Sequence, residues 1–501
     1  MSTPFPVPRL QRLATALCVP LLLVACTAQA LSPPVPPTVW PEPQPVQPTP
    51  QPSPGPLLSR PNFQAPSASH CARPIQTREV PGRQDYGNAV EEREAARLEP
   101  RDEARTKRFA ARERAESAPA TAADALGSAA PMAPPAPSMA EKSLSIAPQR
   151  QPTPPQAPRT GPVTAGMVDD NANFSDYLAF RDRTQVAHRP RDVSERYRLE
   201  VRDPQGRGVA DAEVLVRSAQ GHAMWARTDT QGAVWLHPNA FDPARAAAYD
   251  VVVRKHGQQA QGVLRRGQKS ALELTLSASS AAQRARLDLV FLVDATGSMA
   301  DEIDKLRASL QSIAREVAEL PSRPDLCFGL VAYRDKGDQF LLRSHDFTND
   351  RSAFQGVLNG LRAAGGGDYP EAMNEALHET VHQLHWRGDG TTRMVVLLAD
   401  APPHLDYGGP QYDDDMLAAL GKGIKVFSVG ASGLDKQGEF IQRQIAQYTG
   451  GRFVFLTYED AHRPGSGPGR ETVHDVRNYS VQTLDRLIVR LVREELAPLQ
   501  R

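Results

Sequence analysis

The sequence has no excess of charge of either sign and no common catalytic motif. Its 58 Lys and Arg residues balance 58 Asp and Glu residues, and the basic residues are not gathered into one stripe, which argues against a nucleic-acid partner. It also has no Gly-x-Ser-x-Gly elbow, no His-Glu-x-x-His helix and no glycine-rich phosphate loop followed by lysine. We therefore predict that the protein is not an enzyme.

Apolar periodicity is almost absent from the first 160 residues, outside the extreme N-terminus. This region holds 31 of the 45 prolines, together with a stretch of mixed charge and a stretch rich in alanine and proline. Such a composition favours extended polyproline II structure and cannot bury a core. We predict that residues 26–160 form a disordered linker that can hold a later folded part well away from an anchoring point.

The N-terminus has a short apolar stretch, Leu13–Val24, behind two arginines. At about a dozen residues it is too short to span a bilayer as a mature helix, and it is typical of a signal peptide. The sequence that ends it, Leu-Val-Ala-Cys, resembles a bacterial lipobox. That resemblance implies a signal peptide at residues 1–25 and a lipidated Cys26, and Thr27 after it favours the outer over the inner membrane. An ordinary signal peptide, cut near Ala30, is the alternative.

Two cysteines remain in the chain if the signal peptide is removed. Cys71 lies in the low-complexity region, and Cys327 lies within an apolar run. Buried cysteines without a partner are common in protein cores. We expect Cys327 to be buried and unpaired; a disulfide with Cys71 is the alternative in an oxidising compartment.

Residues 161–277 predict a short helical segment followed by a small all-β domain. Aromatic and aliphatic residues between 174 and 180 give the helical segment, at residues 161–190, a small apolar face. After it, YRLEVRD, AEVLVRS, AVWLHP, AYDVVVRK and ALELTLS alternate as strands do. Short strands at this spacing predict a β-sandwich over residues 192–277. The pair VADAEVLV and ARTDTQGAVWL resembles the carboxypeptidase-regulatory-like fold.

After Arg286 the pattern changes to continuous apolar strands separated by amphipathic helices. The strands are LDLVFLVD, CFGLVAY, MVVLLAD, IKVFSVG and RFVFL. Strands buried on both faces have this composition, so residues 286–497 predict an α/β domain with a doubly wound, mainly parallel sheet. Such sheets bind ligands outside the carboxyl ends of their strands, where Asp294 and Asp400 lie.

The first of these strands ends in FLVDATGSM, which resembles the Asp-x-Thr/Ser-x-Ser signature of von Willebrand factor A (VWA) domains and their metal-ion-dependent adhesion site. The resemblance continues, in order, through VAYRDKGD, AGGGDYPEAMNEAL, LLADAPPH and YTGGRFVFL. It implies a Mg²⁺ ion held by the hydroxyls of Thr296 and Ser298 and by the carboxylates of Asp294 and Asp400. Many family members have a threonine after Gly-Gly, whereas this chain reads GGGDYPE.

The departure from the family pattern makes Asp368 our candidate for the remaining ligand, with Glu371 in reserve. Hydroxyl ligands leave the ion electron-poor, so the resemblance implies that an acidic side chain of a protein partner completes its coordination. A carboxylate at 368 would shift the preference from Mg²⁺ toward Ca²⁺ or Mn²⁺.

Three alternatives to this adhesive function stay open at the sequence level. The domain can have kept the loop without binding metal. A phosphatase of the haloacid dehalogenase type also places an aspartate after an apolar strand, but it needs a second acid where this chain has Thr296. The chain can also be a structural envelope tether that binds through the β-sandwich. Adhesion by a lipid-anchored envelope protein is the function that the sequence favours.

Overall fold

The computed structural model of the chain describes residues 71–83, 162–277 and 284–500, except residues 368, 389 and 407. The predicted signal peptide, Cys26 and Asp368 lie outside the described residues. Within the described ranges, no helix is both long and apolar enough to cross a membrane.

The strands, in chain order, are β1 (Thr77–Val80), β2 (Thr164–Val168), β3 (Tyr197–Arg202), β4 (Glu213–Ser218), β5 (Ala223–Arg227), β6 (Ala233–Leu236), β7 (Ala248–Lys255), β8 (Gln258–Arg265), β9 (Leu272–Thr275), β10 (Arg286–Asp294), β11 (Asp325–Tyr333), β12 (Leu342–Thr348), β13 (Thr391–Ala399), β14 (Ile424–Gly430), β15 (Phe453–Thr457) and β16 (Gln482–Thr483). The α-helices are α1 (Phe174–Arg183), α2 (Ala300–Ala318), α3 (Arg351–Gly360), α4 (Met373–His382), α5 (Tyr412–Lys422), α6 (Lys436–Tyr448) and α7 (Leu484–Leu496).

The largest sheet confirms the predicted α/β architecture. Its strand order is β1-β12-β11-β10-β13-β14-β15-β2-β16. The central strands β11, β10, β13, β14 and β15 run parallel, and antiparallel strands flank them on both sides. The five apolar segments of the sequence are these five parallel strands, so continuous hydrophobicity correctly predicted burial on both faces.

Alternate residues of β10 enter two different cores, which is why this strand is apolar throughout. Val290 and Leu292 point into one core, and Leu289 and Phe291 point into the other. Helices α2, α3 and α7 cover the second of these faces, while α4, α5 and α6 cover the first. Helix α7 packs one apolar face into the second core: Leu484, Leu487, Ile488, Leu491 and Val492 are all buried.

The predicted linker contains one structured segment, which corrects our assignment of residues 26–160 as disordered throughout. Thr77–Val80 forms edge strand β1 and pairs antiparallel with β12. This strand is short, polar and largely exposed, so it has no apolar alternation to reveal it. Its backbone hydrogen bonds to β12 depend on residues about 265 positions away, which no local pattern encodes.

A disulfide between Cys71 and Cys327 fixes the same segment, and our expectation of an unpaired Cys327 was wrong. The two Cα atoms are 6.1 Å apart. Both residues are buried, at 1% and 0% exposure. Cys71 lies in a low-complexity stretch with no predicted element nearby, and the pairing of β1 with the sheet brings it beside β11.

The segment at 161–190 begins with a strand before its helix. β2 (Thr164–Val168) pairs antiparallel with β15 and so extends the large sheet. Helix α1 follows, and its Tyr177 and Phe180 are buried in the core beneath α6. The predicted helix is therefore present, but as part of the α/β domain.

Residues 197–275 form two small sheets, as the alternating pattern predicted. One sheet has the order β6-β3-β9 and the other β5-β4-β7-β8. Their inner residues belong to the same hydrophobic cluster as one face of the large sheet. A buried ion pair lies at this contact: Arg393 of β13 donates to Asp211 at 3.0 Å and is only 1% exposed.

Candidate metal centre

The loop after β10 lines up two hydroxyl groups beside a buried carboxylate. Asp294 ends the strand with no exposed surface. The backbone N and Oγ1 of Thr296 both donate to its Oδ1, at 2.9 and 2.6 Å. The Oγ atom of Ser298 lies 3.0 Å from that of Thr296. Residues at alternate positions of the loop therefore direct oxygen atoms to one place.

Asp400 reaches the same place from the neighbouring parallel strand. Val293 of β10 lies opposite Leu398 of β13, so Asp294 and Asp400 leave the two strands at the same edge. Burial raises the pKa of Asp400, the charge of Asp294 raises it further, and a hydrogen bond with Ser298 lowers it. Burial likewise raises the pKa of Asp294. The two carboxylates are therefore close and poorly solvated.

Glu371, our reserve ligand, faces this pair from the loop before α4. Its backbone N donates to the carbonyl oxygen of Pro402 at 3.1 Å, and its side chain is buried. Burial raises its pKa to about 9, with further contributions from the charges of Asp294, Asp335 and Asp400. A third carboxylate therefore converges on the site.

A glycine loop, Gly365–Gly367, allows the side chains of Glu371 and Thr296 to come close to each other. Gly366 has φ +69°, and a Cβ atom there would lie 2.9 Å from Oε1 of Glu371 and 3.2 Å from Cβ of Thr296. Its N–H donates to Asp338 at 2.7 Å, and the N–H of Gly297 donates to the carbonyl of Gly365 at 2.9 Å. We had not assigned a role to Asp338, although the sequence placed it in one of the matching blocks; it holds the glycine loop in place.

Three buried oxygen atoms at this site have no hydrogen-bond partner among the described residues. They are Oδ2 of Asp294, Oε2 of Glu371 and Oδ1 of Asp400. Unpaired buried carboxylates are costly, and a cation removes that cost. Carboxylate and hydroxyl oxygens are the ligands that Mg²⁺, Ca²⁺ and Mn²⁺ prefer. The residues therefore fit a hard divalent cation, and the exposed Ser298 lies on the solvent side of the site.

Glu302, on the first turn of α2, is a further acidic residue that the sequence reasoning missed. It is buried, accepts a hydrogen bond from the hydroxyl of Tyr458, and its charge contributes to the raised pKa of Asp400. Its position directly after the Asp-x-Thr-x-Ser stretch was the available signal.

Known proteins resemble parts of this chain. The family model for the von Willebrand factor A domain matches residues 288–403. The alpha-protein kinase vwkA of Dictyostelium discoideum is 32% identical over 135 residues, which are 26% of this chain and 21% of that protein. Integrin beta-4 of Homo sapiens is 24% identical over 196 residues, which are 34% of this chain and 10% of the integrin.

Among solved structures, the pilus adhesin SpaC from Lactobacillus rhamnosus GG, in its open conformation, is 16% identical. The match covers 42% of this chain and 31% of that chain, with a TM-score of 0.25. The chain spans about a fifth or less of the two curated relatives. The family model begins on β10 and ends just after β13, so it includes Asp294, Ser298 and Asp400. This chain contains a von Willebrand factor A domain.

Proposed function

We propose that this protein is a membrane-anchored cell-envelope lipoprotein whose VWA domain binds a protein partner through a divalent cation. Mg²⁺ is the proposed ion, with Mn²⁺ and Ca²⁺ as the other candidates. Asp294, Thr296, Ser298 and Asp400 would hold it, with Asp368 or Glu371 as a further ligand. The observation that carries this proposal is that buried oxygens of Asp294, Glu371 and Asp400 have no hydrogen-bond partner in the part of the chain that the structure describes.

The site favours binding to a partner because its carboxylates are buried while Ser298 is exposed. A cation that protein oxygens bind from the buried side keeps one coordination position open to solvent. An acidic side chain of a partner is a suitable ligand for that position, because the hydroxyl ligands add no negative charge. VWA domains are typically protein-interaction or adhesion domains, which agrees with this proposal.

We propose that this function involves no catalysis. The matched segment covers only 21% of the kinase relative, so that match gives no support for kinase activity in this chain. The phosphatase alternative needs an acid two residues after Asp294. Thr296 occupies that position, and its hydroxyl is held by Asp294 at 2.6 Å.

Isothermal titration of chelator-treated protein with Mg²⁺, Mn²⁺ and Ca²⁺ tests the cation site. Binding of one ion is expected, and Ser298→Ala should weaken it at least about tenfold because a direct ligand is lost. Ser270→Ala, an exposed serine of the β-sandwich domain, is the matched control and should bind as the wild type. Absence of binding at millimolar ion would contradict the proposal.

Partner capture and lipid labelling test the rest of the proposal. Crosslinking in cells should capture a partner that is lost on chelation and in Ser298→Ala but kept in Ser270→Ala. Capture that survives both treatments would favour the structural tether that binds through the β-sandwich.

A fatty-acid analogue should label the wild type and not Cys26→Ser; labelling of that variant would refute the lipid anchor.

A further inference from the structure

Two histidines and one aspartate form a compact cluster between helices α4 and α5. Nδ1 of His378 and Nε2 of His382 each lie 3.0 Å from Oδ1 of Asp415. One ligand atom from each residue lies within 4.8 Å of the other two. The cluster is separate from the candidate metal centre, which is built from oxygen atoms at the ends of β10 and β13.

Helix geometry explains how the three side chains meet. His378 and His382 are four residues apart, so both lie on the same face of α4, and their rings are 4.4 Å apart. Asp415 lies in the first turn of α5, the helix beside α4. Two imidazoles and a carboxylate from a second helix are a ligand set that can bind one ion.

Asp415 carries the second observation that points to a cation. The residue is 2% exposed, and its Oδ2 is buried without a hydrogen-bond partner among the described residues. The aspartates just before it differ, because Asp413 and Asp414 both accept from Arg191 at 2.7 Å. Lys422, on the same helix, donates to the carbonyl oxygen of Val381 at 2.7 Å, and its charge also interacts with Asp415.

We propose that His378, His382 and Asp415 bind a zinc ion. Imidazole nitrogen together with one carboxylate oxygen is a ligand set for zinc, whereas Mg²⁺ and Ca²⁺ prefer oxygen ligands alone. Nδ1 of His378 and Nε2 of His382 would coordinate the ion, and Asp415 would bind it from the buried side. The His378 side chain is 38% exposed, so the fourth coordination position faces solvent.

Zinc bound in this way would join α4 to α5. Helix α4 begins two residues after Glu371, and α5 packs against β5 of the β-sandwich domain. The ion would therefore fix the helix that follows the candidate metal centre to the helix that contacts the other domain.

Equilibrium dialysis of the full chain against zinc chloride, with bound metal measured by mass spectrometry, tests the proposal. The protein is first freed of metal, and Asp294→Asn in excess Mg²⁺ removes any zinc held at the oxygen site. One zinc ion per chain is expected in that background. His378→Gln and His382→Gln should each weaken zinc binding at least about tenfold, while His462→Gln, an exposed histidine elsewhere, should have no effect.

Thermal melting separates ligand loss from misfolding. His378 is partly exposed, so His378→Gln should melt like the wild type without zinc. Zinc should raise the melting temperature of the wild type and of His462→Gln, but not that of His378→Gln. Zinc retention by His378→Gln and His382→Gln equal to the wild type, or no zinc bound at micromolar free ion, would overturn the proposal.

Discussion

Two aspartates on strand β10 should respond in opposite ways to the same substitution. Asp288 and Asp294 are both fully buried. Burial raises the pKa of Asp288 and Arg387 opposes that effect, since its Nε and its backbone N each donate to the carboxylate at 2.7 Å. Oδ2 of Asp294 has no hydrogen-bond partner among the described residues. We predict that Asp288→Asn destabilises the protein and that Asp294→Asn, in the absence of divalent metal, does not.

The magnitudes follow from these contacts. Each hydrogen bond to a charged group contributes about 1.5–3 kcal/mol, and asparagine keeps one of the two acceptor oxygens. Asp325, at 2.8 Å from Arg387, still partly compensates the guanidinium. We therefore expect Asp288→Asn to lower the free energy of unfolding by about 3 kcal/mol, near the lower end for breaking a buried pair. Asp294→Asn relieves charge repulsion with Asp400 and should raise the free energy of unfolding by about 1–2 kcal/mol.

Denaturant unfolding in EDTA, followed by circular dichroism, measures both changes. Mg²⁺ should then stabilise the wild type and Asp288→Asn but not Asp294→Asn, because only the last variant has lost a proposed ligand. The reasoning would be refuted if Asp294→Asn destabilised the metal-free protein as strongly as Asp288→Asn. That result would mean that the fold already compensates the Asp294 charge.

Three further predictions concern stability. Cys71→Ala should lower the free energy of unfolding by about 3–5 kcal/mol, since the disulfide to Cys327 closes a loop with a sequence separation of 256; reductant should shift the denaturant midpoint of the wild type and leave the variant unchanged. Burial lowers the pKa of His237 from 6.5 to about 3, so the folded state binds fewer protons than the unfolded one and stability falls as pH drops from 6.5 toward 3. His237→Phe should remove about 3 kcal/mol of the difference in unfolding free energy between pH 7 and pH 4; an unaltered pH profile would contradict this. Asp211→Ala leaves Arg393 buried without its carboxylate and should cost about 3–5 kcal/mol; a melting temperature equal to that of the wild type would refute a stabilising contact between the domains.

Continuous apolar runs predicted the parallel strands, because a strand buried on both faces has apolar residues at successive positions. The same pattern predicted that Asp294 and Asp400 end two strands of the sheet, and the resemblance to VWA domains implied that Thr296 and Ser298 lie beside them; that the two strands are neighbours comes from the structure. These features are local, so a single sequence carries them. The identity of the ion and the role of Asp368 stay predictions.

The features that sequence reasoning missed depend on contacts between distant residues. Cys71 pairs with Cys327, 256 positions away, and β1 has too little apolar surface to predict a strand. Asp288 and Asp294 both stand in the apolar run LDLVFLVD, and the sequence does not distinguish them. Only the fold shows that Asp288 pairs with Arg387 and so has a structural role. His378, His382 and Asp415 belong to two helices whose packing brings them together.

A Mn²⁺-soaked crystal, measured at the manganese absorption edge, tests the central claim most directly, because anomalous scattering locates the ion without assumptions about its ligands. We predict one strong peak at the carboxyl ends of β10 and β13, coordinated by Ser298 and by the carboxylates of Asp294 or Asp400. The account would be contradicted by a crystal that holds manganese elsewhere, or nowhere, while this edge of the sheet is accessible to solvent and shows no peak.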